Sequence, residues 1–307
     1  MNADTELQFF CTLVRQGSLA ATARELNLTP PAVSRRLSNL EDRLGVRLLN
    51  RTTRRISLTS EGEVYFAHAQ RILSDIDDME RLVSSSRAAP KGTLRVNAPL
   101  GFGRSYVGPA ISSFTQAYPD VEVQLHLTDR PVGLPDDGID IAIRFGEMPD
   151  SRLTARRIAA NRRMLVASPG YLRAAGEPAY PHDLTQHECI VLRQNDGAYG
   201  NWRLSRGGNT ETIKVHGKLS TNDGEVALNW ALDGRGILMR AQWDVAKYLR
   251  TGRLAHVLTE YETPPADIYA VYPERLNLSA KVTCFVDHLR NYLGQHADGP
   301  SPVGAKW

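Results

Sequence analysis

The sequence has few cysteines and no long apolar run. Its three cysteines, Cys11, Cys189 and Cys284, are scattered among 307 residues and form no CxxC pair. Isolated thiols without clustered histidines are typical of a reducing cytosol and give no pattern for a disulfide framework or a structural zinc site. No stretch approaches the roughly 18 apolar residues of a membrane-spanning helix, and the N-terminal residues lack the segments of a secretory signal. We therefore expect a soluble, cytoplasmic protein with no metal, no other cofactor and no membrane contact.

The chain also lacks the short motifs of the common enzyme classes. It contains no GxSxG, P-loop, HExxH or kinase pattern, and its eight histidines are dispersed. The Gly-Phe-Gly at 101–103 lacks the third glycine of a dinucleotide-binding fingerprint, so a close-packed turn is the better interpretation. Asp183, His187 and Cys189 lie close together in sequence, and we interpret them as structural. An enzyme is the alternative to be weighed, because α/β domains host many chemistries.

The net charge is small but unevenly distributed. Residues 1–60 contain nine arginines, no lysine and five acidic residues, which gives this segment a net charge of +4. Because the whole chain carries +3, residues 61–307 sum to −1. A small segment that holds all the net positive charge indicates a domain that binds nucleic acid, although a basic face can also be ordinary solvated surface.

Three short helices are predicted in this basic segment. Gly17 ends the first helix, in which Leu7, Phe10 and Val14 share one face, with Leu13 beside them. Ser18 can cap a second helix, LAATAREL, and Asn27 tolerates the left-handed backbone of a sharp turn after it. Thr29 can cap a third helix, in which Pro30 takes the first position, where an N–H has no intrahelical partner.

The third helix has a buried face and an opposite face whose side chains can contact nucleic-acid bases. Its apolar residues recur at spacings of four, three and four: Val33, Leu37, Leu40 and Leu44. The opposite face offers a guanidinium, which can bind guanine through two hydrogen bonds, and short hydroxyls, which suit bases or phosphates. Two short helices joined by a tight turn predict a helix-turn-helix, the alternative being an ordinary three-helix bundle. The predicted DNA-binding residues are Thr29, Pro30, Pro31, Ser34, Arg35 and Ser38.

A small β-hairpin, or wing, is predicted after the third helix. Leu48 and Leu49, the polar tip NRTTRR and the alternating ISLT indicate two short strands. Arg51, Arg54 and Arg55 lie at the tip and suit phosphates or a narrow minor groove, whose negative potential attracts arginine. We therefore add these three arginines to the predicted DNA-binding residues.

A long helix is predicted from residue 60 to about residue 88. Ser60 and Glu63 have the spacing of a capping box. The apolar residues alternate at spacings of four and three, the seam of a coiled coil: Tyr65, Ala69, Ile72, Ile76, Met79 and Val83. Such a seam needs a partner, which is either a second copy of the helix or another part of the same chain.

From residue 92 onward, short apolar strands alternate with helices. TLRVNAP, VEVQLHL, IDIAIRF and RRMLVASP predict strands, and a second set of strands and helices follows. This pattern is typical of parallel sheets with helices on both faces. We expect lobe I at about 92–162 and 266–296, with lobe II, about 163–265, inserted in it. Residues 297–307 are predicted to be a disordered tail.

The segment from residue 17 to residue 62 resembles the LysR-type transcriptional regulators. The matching motifs are the entry to helix two at 17–19, Ala-x-x-Leu at 23–26, the recognition helix at 29–37, Leu-Glu-x-x-Leu-Gly at 40–45 and the wing at 48–51. Many family members have Gln where Pro30 stands, so a base contact by that amide is absent here. The resemblance implies that the long helix links the domains and mediates homodimerisation, with dimers often pairing into tetramers.

The C-terminal part resembles the LysR effector domain, through LTDRPVGLPDDGIDIAIRFGEMPDSRLTARRI, VASPGYL, DLTQHECIVLR, NDGEVALNWALDGRGILM and LRTGRLAHVL. The resemblance implies two lobes like those of periplasmic solute-binding proteins, with a small-molecule cleft between them. Ligands bind at the carboxyl ends of parallel strands, which selects Leu100, Gly101, Phe102, Thr128, Arg144 and Phe145. The match to family pocket positions adds Asn201, Trp202, Thr221, Asn222 and Met239.

The combined prediction is a cytoplasmic, homo-oligomeric transcriptional regulator. Its fold class is an N-terminal all-α winged helix-turn-helix (1–59), a linker and dimerisation helix (60–88) and an α/β two-lobed, periplasmic-binding-protein-like effector domain (92–296). The partners would be double-stranded DNA and a small-molecule effector. Arg144 and helix N-termini favour an organic anion, while Arg144 could equally form an ion pair with Asp140 or Glu147. A secreted solute-binding protein would leave the basic N-terminal segment unexplained.

Overall fold

The chain divides into two compact units, residues 1–88 and 89–307. The computed structural model describes residues 3–51, 56–83, 89–129, 134, 138–146, 153–193, 199–276 and 279–296. Within the described ranges, no helix combines the length and apolar character needed to cross a membrane. The predicted tail, 297–307, and the predicted wing residues Arg54 and Arg55 lie outside the described residues.

The N-terminal unit is a helical domain with a two-stranded hairpin. Its elements are α1 (Ala3–Gln16), α2 (Leu19–Glu25), α3 (Pro30–Leu44), β1 (Leu49–Arg51), β2 (Ile56–Leu58) and α4 (Ser60–Val83). The hydroxyl of Ser18 accepts from the N–H of Ala21 over 3.1 Å, which confirms the predicted cap of α2. Asn27 has a φ of 53°, so the predicted left-handed turn before α3 is also confirmed.

The core of this unit forms where α1, α2 and α3 meet. Most residues predicted from the apolar stripes are buried there, among them Phe10, Val33 and Leu37, whereas those near the helix ends, such as Leu7 and Leu44, are half-buried. Phe9, which lies off the predicted face of α1, is also 1% exposed, because α1 is covered on two sides. Glu41 is buried as well: its Oε1 accepts from the N–H groups of Leu48 and Leu49 and so fixes the start of the hairpin to α3.

Helix α4 begins with a different cap from the predicted one. The hydroxyl of Thr59 accepts from the N–H of Gly62 over 3.0 Å, so Thr59 is the N-cap and the capping box of Ser60 and Glu63 is wrong. The predicted seam is divided between two environments. Tyr65 packs edge-on against Phe10 of α1, with ring centres 5.1 Å apart, and Ala69 is buried. Farther along, the exposed fractions of Ile72 and Met79 rise to 45% and 56%.

The second unit contains two five-stranded sheets. In chain order its elements are β3 (Gly92–Ala98), α5 (Leu100–Phe102), a π turn (Gly103–Val107), α6 (Gly108–Ala117), β4 (Val121–Leu127), β5 (Ile141–Phe145), β6 (Leu153–Ala159), β7 (Arg163–Ala167), α7 (Pro169–Ala175), a 3₁₀ helix (Pro181–Gln186), β8 (Cys189–Leu192), β9 (Asn201–Arg206), β10 (Asn209–Lys214), β11 (Ser220–Thr221), α8 (Gly224–Leu232), β12 (Ile237–Ala241), α9 (Gln242–Arg250), β13 (Ala255–Val257), β14 (Ile268–Pro273), a 3₁₀ helix (Glu274–Leu276) and α10 (Ala280–His296).

Both sheets are mixed, so the expectation of parallel sheets is correct for some strand pairs and wrong for others. The lobe I sheet has the order β4-β3-β5-β14-β6, and the lobe II sheet has the order β11-β8-β12-β7-β13. In lobe I, β3 pairs in parallel with β4 and β5, whereas β14 runs antiparallel to β5 and β6. In lobe II, β7 runs antiparallel to β12 and β13. Parallel neighbouring strands must be joined by a crossover connection. β14 follows lobe II in the chain and returns from it to the lobe I sheet, where it runs antiparallel to its neighbours.

Candidate nucleic-acid interface and ligand site

Helix α3 exposes its N-terminal edge. The predicted DNA-binding residues on this edge are exposed or, for the two serines, half-buried: Thr29, Pro30, Pro31, Ser34, Arg35 and Ser38. Thr29 occupies the N-cap position with extended backbone, but its hydroxyl makes no capping hydrogen bond, which corrects the expected role of this side chain. Pro30 begins the helix, as expected. The edge therefore presents small rings, hydroxyls and one guanidinium to an approaching surface.

The two consecutive arginines of α3 differ in their surroundings. Arg36 donates to the backbone oxygen of Thr5 over 2.6 Å, and its guanidinium carbon lies 4.5 Å from the centre of the Phe9 ring. Both contacts hold Arg36 against α1. Arg35 lies on the exposed side of α3. Of this pair, Arg35 is therefore the one exposed on the surface of the domain.

The predicted wing is present as a short antiparallel hairpin. Leu49 pairs with Leu58, and Arg51 pairs with Ile56 at the end of the strands. The buried side chain of Leu49 fixes β1 to the helical core, so the hairpin extends from a rigid base. The backbone of Arg51 is thus placed next to the tip, while the tip itself, 52–55, lies outside the described residues.

In the second unit, α5 begins beside the end of β4. The N–H of Leu100 donates to Oδ1 of Asp129 over 3.0 Å, so a carboxylate of the chain itself occupies the first amide of this helix. The N–H of Thr128 donates to the backbone oxygen of Ala98 over 3.0 Å, which places Thr128 at the same strand ends. The expectation that the α5 amides receive an anionic ligand is therefore corrected for Leu100.

The N-terminus of α8 in lobe II is occupied in the same way. Oδ1 of Asp223 accepts from the N–H groups of Glu225 and Val226, over 2.8 and 3.0 Å. The hydroxyl of Thr221 accepts from the N–H of Asp223, and Asn222 is exposed. Thr221 therefore has a structural role in this cap. A carboxylate already satisfies the amides that an anion would need.

Arg144 has an unusual environment for a charged group. Its Nη1 donates to Oδ1 of Asn97 over 2.7 Å and to the backbone oxygen of Ile143 over 2.9 Å. Its Nη2 is buried and has no hydrogen-bond partner. Among the described residues, no carboxylate pairs with Arg144. The first predicted partner, Asp140, instead accepts from the N–H of Arg95. The second, Glu147, lies outside the described residues. Burial lowers the pKa of Arg144 below its ordinary value.

An aromatic cluster joins the two lobes. Trp243, at the start of α9, belongs to the buried core of lobe I. Its ring centre lies 5.4 Å from that of Phe102, 5.9 Å from that of Tyr106 and 6.4 Å from that of Phe145. Phe102 is fully buried in this cluster, which corrects the expectation that its ring faces an opening. Phe145 is half-buried, at the edge of the cluster.

Arg240 of lobe II reaches the same junction. Its Nε donates to Oδ2 of Asp244 over 2.6 Å, and its guanidinium carbon lies 5.6 Å from the centre of the Trp243 ring. A Cβ atom on Gly101 would lie 3.6 Å from Nη2 of Arg240, and one on Gly224 would overlap the guanidinium at 2.0 Å. The guanidinium therefore lies between two glycines, one from each lobe.

The remaining predicted residues of lobe II lie elsewhere. Asn201 is exposed and pairs with Lys214 in the β9–β10 hairpin. Trp202 is buried in the lobe II core, which corrects its predicted contact with a ligand. Met239 is half-buried and packs against the same core from β12. Because these side chains belong to the lobe II interior or its hairpin, they do not converge with Arg240.

The cluster Asp183, His187 and Cys189 has structural partners. Asp183 accepts two backbone N–H groups at the start of its 3₁₀ helix, over 2.9 and 3.0 Å. Nδ1 of His187 lies 3.1 Å from the hydroxyl of Tyr171, and burial raises the pKa of Cys189 to about 12. These contacts agree with the structural interpretation. Among the described residues, no three His, Cys, Asp or Glu side chains are grouped to hold a metal ion.

Comparison with protein families matches nearly the whole chain. Residues 5–63 match the bacterial regulatory helix-turn-helix proteins of the lysR family, and residues 87–294 match the LysR substrate binding domain. The chain belongs to the LysR family. The family and the predicted fold class, a helix-turn-helix domain and a two-lobed α/β regulatory domain, are thereby confirmed.

Relatives of this LysR-family protein are transcriptional regulators. It is 42% identical to the HTH-type transcriptional regulator DmlR of Escherichia coli K12 over 291 residues, which is 95% of this chain and 94% of the relative. It is 38% identical to the HTH-type transcriptional activator TtdR of the same strain over 296 residues, 96% of this chain and 95% of the relative. The prediction of a DNA-binding regulator rather than an enzyme is confirmed.

Solved structures of the family show the same fold. The full-length Vibrio cholerae virulence activator AphB is 28% identical, with a TM-score of 0.58 and coverage of 95% of this chain and 99% of that one. CrgA from Neisseria meningitidis, a LysR-type transcriptional regulator, is 31% identical, with a TM-score of 0.59 and coverage of 95% and 98%.

Sequence reasoning missed several groups at the lobe junction of this LysR-family regulator. Asn97, Asp129 and Asp223 were missed. Of these, only Asp223 directly precedes the helix that it caps and so carried a recognisable signal. Arg240 and Trp243 were missed because nothing in the local pattern of β12 and α9 marks them. Their contacts with lobe I depend on residues about a hundred positions away or more.

Proposed function

We propose that this LysR-family regulator binds a two-fold operator through the exposed edge of α3 and the wing, and that an organic anion bound between lobes I and II changes operator binding and bending. The protein would act in the cytoplasm as a homodimer or homotetramer. In this proposal the α4 helices contribute the contacts between subunits, which the exposed apolar residues Ile72 and Met79 support.

The DNA-binding part of the proposal rests on the chemistry of α3. Arg35 would bind a base edge, and Thr29, Ser34 and Ser38 would bind bases or phosphates. Pro30 and Pro31 would allow close approach of the helix. Arg51, Arg54 and Arg55 would bind phosphates or the minor groove beside the site. The surface exposure of Arg35 supports its assignment, since Arg36 is held against α1.

The observation that carries the anionic effector is the unpaired Nη2 of Arg144. Arg144 is half-buried, but its Nη2 is fully buried, and burying part of a guanidinium without a carboxylate partner is costly, because the desolvation of the charge is not compensated. A carboxylate of the effector would provide this compensation through a charge-assisted hydrogen bond. Thr128, Leu100, Gly101 and Phe145 flank the same strand ends and would shape the site. The helix amides contribute less than the sequence suggests, since Asp129 and Asp223 occupy them.

Thermal unfolding tests this assignment. The purified chain and its Arg144→Gln variant would be measured with sodium acetate, succinate, citrate or benzoate, and with the corresponding uncharged amides. We expect at least one acid, but not its amide, to raise the unfolding temperature of the natural chain. Loss of a charge-assisted bond weakens affinity by about tenfold to a hundredfold, so the variant should respond weakly.

The control for this experiment is Arg156→Gln, because Arg156 forms a surface ion pair with Asp287 instead of pointing to the strand ends. This variant should respond to the acids like the natural chain. Arg144→Gln removes a half-buried charge that has no carboxylate partner among the described residues, so it should fold normally in the absence of acid. Equal responses to acids and amides would contradict an anionic effector.

The regulatory part of the proposal follows from the thermodynamic linkage between effector binding and DNA binding. An effector changes DNA binding only by the difference between its affinities for the two arrangements of the protein. A footprint and a bend-angle measurement on DNA flanking the gene for this regulator, with and without the stabilising acid, would test it. We expect the footprint length or the bend to change. Identical footprints and bends under both conditions would contradict effector-dependent bending.

A further inference from the structure

We propose that Arg240 is a specificity-determining residue of the effector site, and that it binds the effector's anionic group from lobe II. This inference rests on the proposed function, because it assigns a second contact to the same ligand. None of the residues selected from the sequence supplies this contact, since Trp202 and Met239 belong to the lobe II interior.

The first argument is the position of the guanidinium. It lies where the lobes meet: Gly101 belongs to lobe I, and Gly224 begins α8 in lobe II. A Cβ on Gly224 would be 2.0 to 2.3 Å from three atoms of the guanidinium, so any side chain there would displace it. Clefts between lobes are the usual place for a small ligand. Because neither glycine has a side chain, the guanidinium has the space to contact lobe I.

The second argument is the hydrogen bonding of Arg240. Asp244 accepts from Nε, and the described residues accept nothing from Nη1 or Nη2. Arg240 is only 9% exposed as a residue, yet these two nitrogens are not among the buried unpartnered atoms and therefore reach solvent. A guanidinium that is largely desolvated but keeps two free donors in a fixed geometry is suited to a carboxylate, which it can bind through two parallel hydrogen bonds.

The third argument is a second donor without a partner at the same junction. Nε1 of Trp243 is buried and unpartnered, and this indole packs beside the Arg240 guanidinium and against the position of a Gly101 side chain. Buried donors in native proteins are nearly always hydrogen-bonded, to protein, water or ligand. The guanidinium of Arg240 and the indole of Trp243 are neighbouring groups from lobe II, and both keep N–H donors without a protein acceptor among the described residues, which favours a ligand with oxygen acceptors.

This contact has a consequence for regulation. An effector that is held by Arg144 of lobe I alone would bind equally well however the lobes are arranged. An effector that is also held by Arg240 binds best in one arrangement, and this difference in affinity is what allows a ligand to shift the equilibrium. The neighbouring Arg104 is not suited to this role, because its guanidinium is paired with Glu225 across the junction at 2.5 Å.

The test compares Arg240→Met with two reference variants, using the acid that stabilises the natural chain in the panel above. Arg240→Met should weaken binding of that acid by about tenfold or more, while Arg240→Lys should restore part of it. Gly224→Ala should also weaken binding by displacing the guanidinium. Arg104→Gln is the matched control, since it removes the exposed ion pair across the same junction; its affinity should stay close to that of the natural chain.

Arg240→Met leaves the half-buried Asp244 without its partner. A second variant, Arg240→Met with Asp244→Asn, therefore separates misfolding from loss of the contact. Both should bind operator DNA without effector. If the acid stabilises these variants as well as the natural chain while Arg144→Gln abolishes its effect, Arg240 has no role and the proposed function stands. If no acid stabilises the natural chain, or if the amides do so equally, the proposal of an anionic effector is contradicted. The proposed role of Arg240 is then contradicted as well.

Discussion

Replacing Trp243 with alanine should destabilise the second unit more than most single substitutions, because a helix of lobe II carries this side chain into the lobe I core. Trp243 is 8% exposed and contacts three aromatic rings of the lobe I core, while α9, which carries it, packs in lobe II. Removing a buried tryptophan costs about 3 to 5 kcal/mol, including the cavity that remains. A unit of roughly 200 residues loses about 2 to 4 °C per kcal/mol, so we expect a decrease of roughly 10 °C.

Trp243→Phe refines this prediction. Phenylalanine keeps most of the aromatic contact and removes Nε1, whose burial without a partner costs about 1 to 3 kcal/mol. The loss of ring area and the removal of this penalty should nearly offset each other. The stability of Trp243→Phe should therefore lie within about 1 kcal/mol of the natural chain, and the difference between the two variants isolates the packing contribution.

Calorimetry and denaturant unfolding measured by near-UV circular dichroism would follow both lobes. In Trp243→Ala the coupling between the lobes is weakened, so the single transition of the regulatory unit should broaden or divide. Trp230→Ala is the matched control, because Trp230 packs against the lobe II core alone and should lower the midpoint without dividing the transition. A loss below about 1 kcal/mol for Trp243→Ala would refute the inference that this tryptophan connects the lobes.

Two further predictions concern the DNA-binding helix and the thiols. Arg35→Ala should lose about 1 to 3 kcal/mol of discrimination between operator and random DNA, measured by fluorescence anisotropy; equal losses on both DNAs would rule out base reading. Arg36→Ala should keep the discrimination and instead destabilise the N-terminal unit, because its contacts are with α1. The buried thiol of Cys189, with its pKa raised to about 12, should react with a thiol reagent at neutral pH only as fast as the protein unfolds. Rapid reaction in the folded protein would contradict its burial.

The sequence by itself determined the helices and turns of the N-terminal unit. The cap by Ser18 and the left-handed turn at Asn27 are formed by residues within a few positions of one another, so the local pattern carries the information. The buried stripe of α3 also follows from local spacing, since Val33 and Leu37 face the core whatever packs against them. The family motifs lie in these same segments, which is why the family could be inferred before any fold was known.

Tertiary structure alone decided the partners of the charged and aromatic groups. The local pattern predicts a strand that ends at Arg144, but its contact with Asn97 arises from the pairing of β5 with β3, and nothing near either residue encodes it. The mixed sheets likewise follow from where the chain crosses between lobes. Trp243 lies in lobe II by sequence and in the lobe I core by structure, and Arg240 meets Gly101 only when both lobes are folded. Contacts between distant segments depend on the complete topology, which the local periodicity of a sequence does not contain.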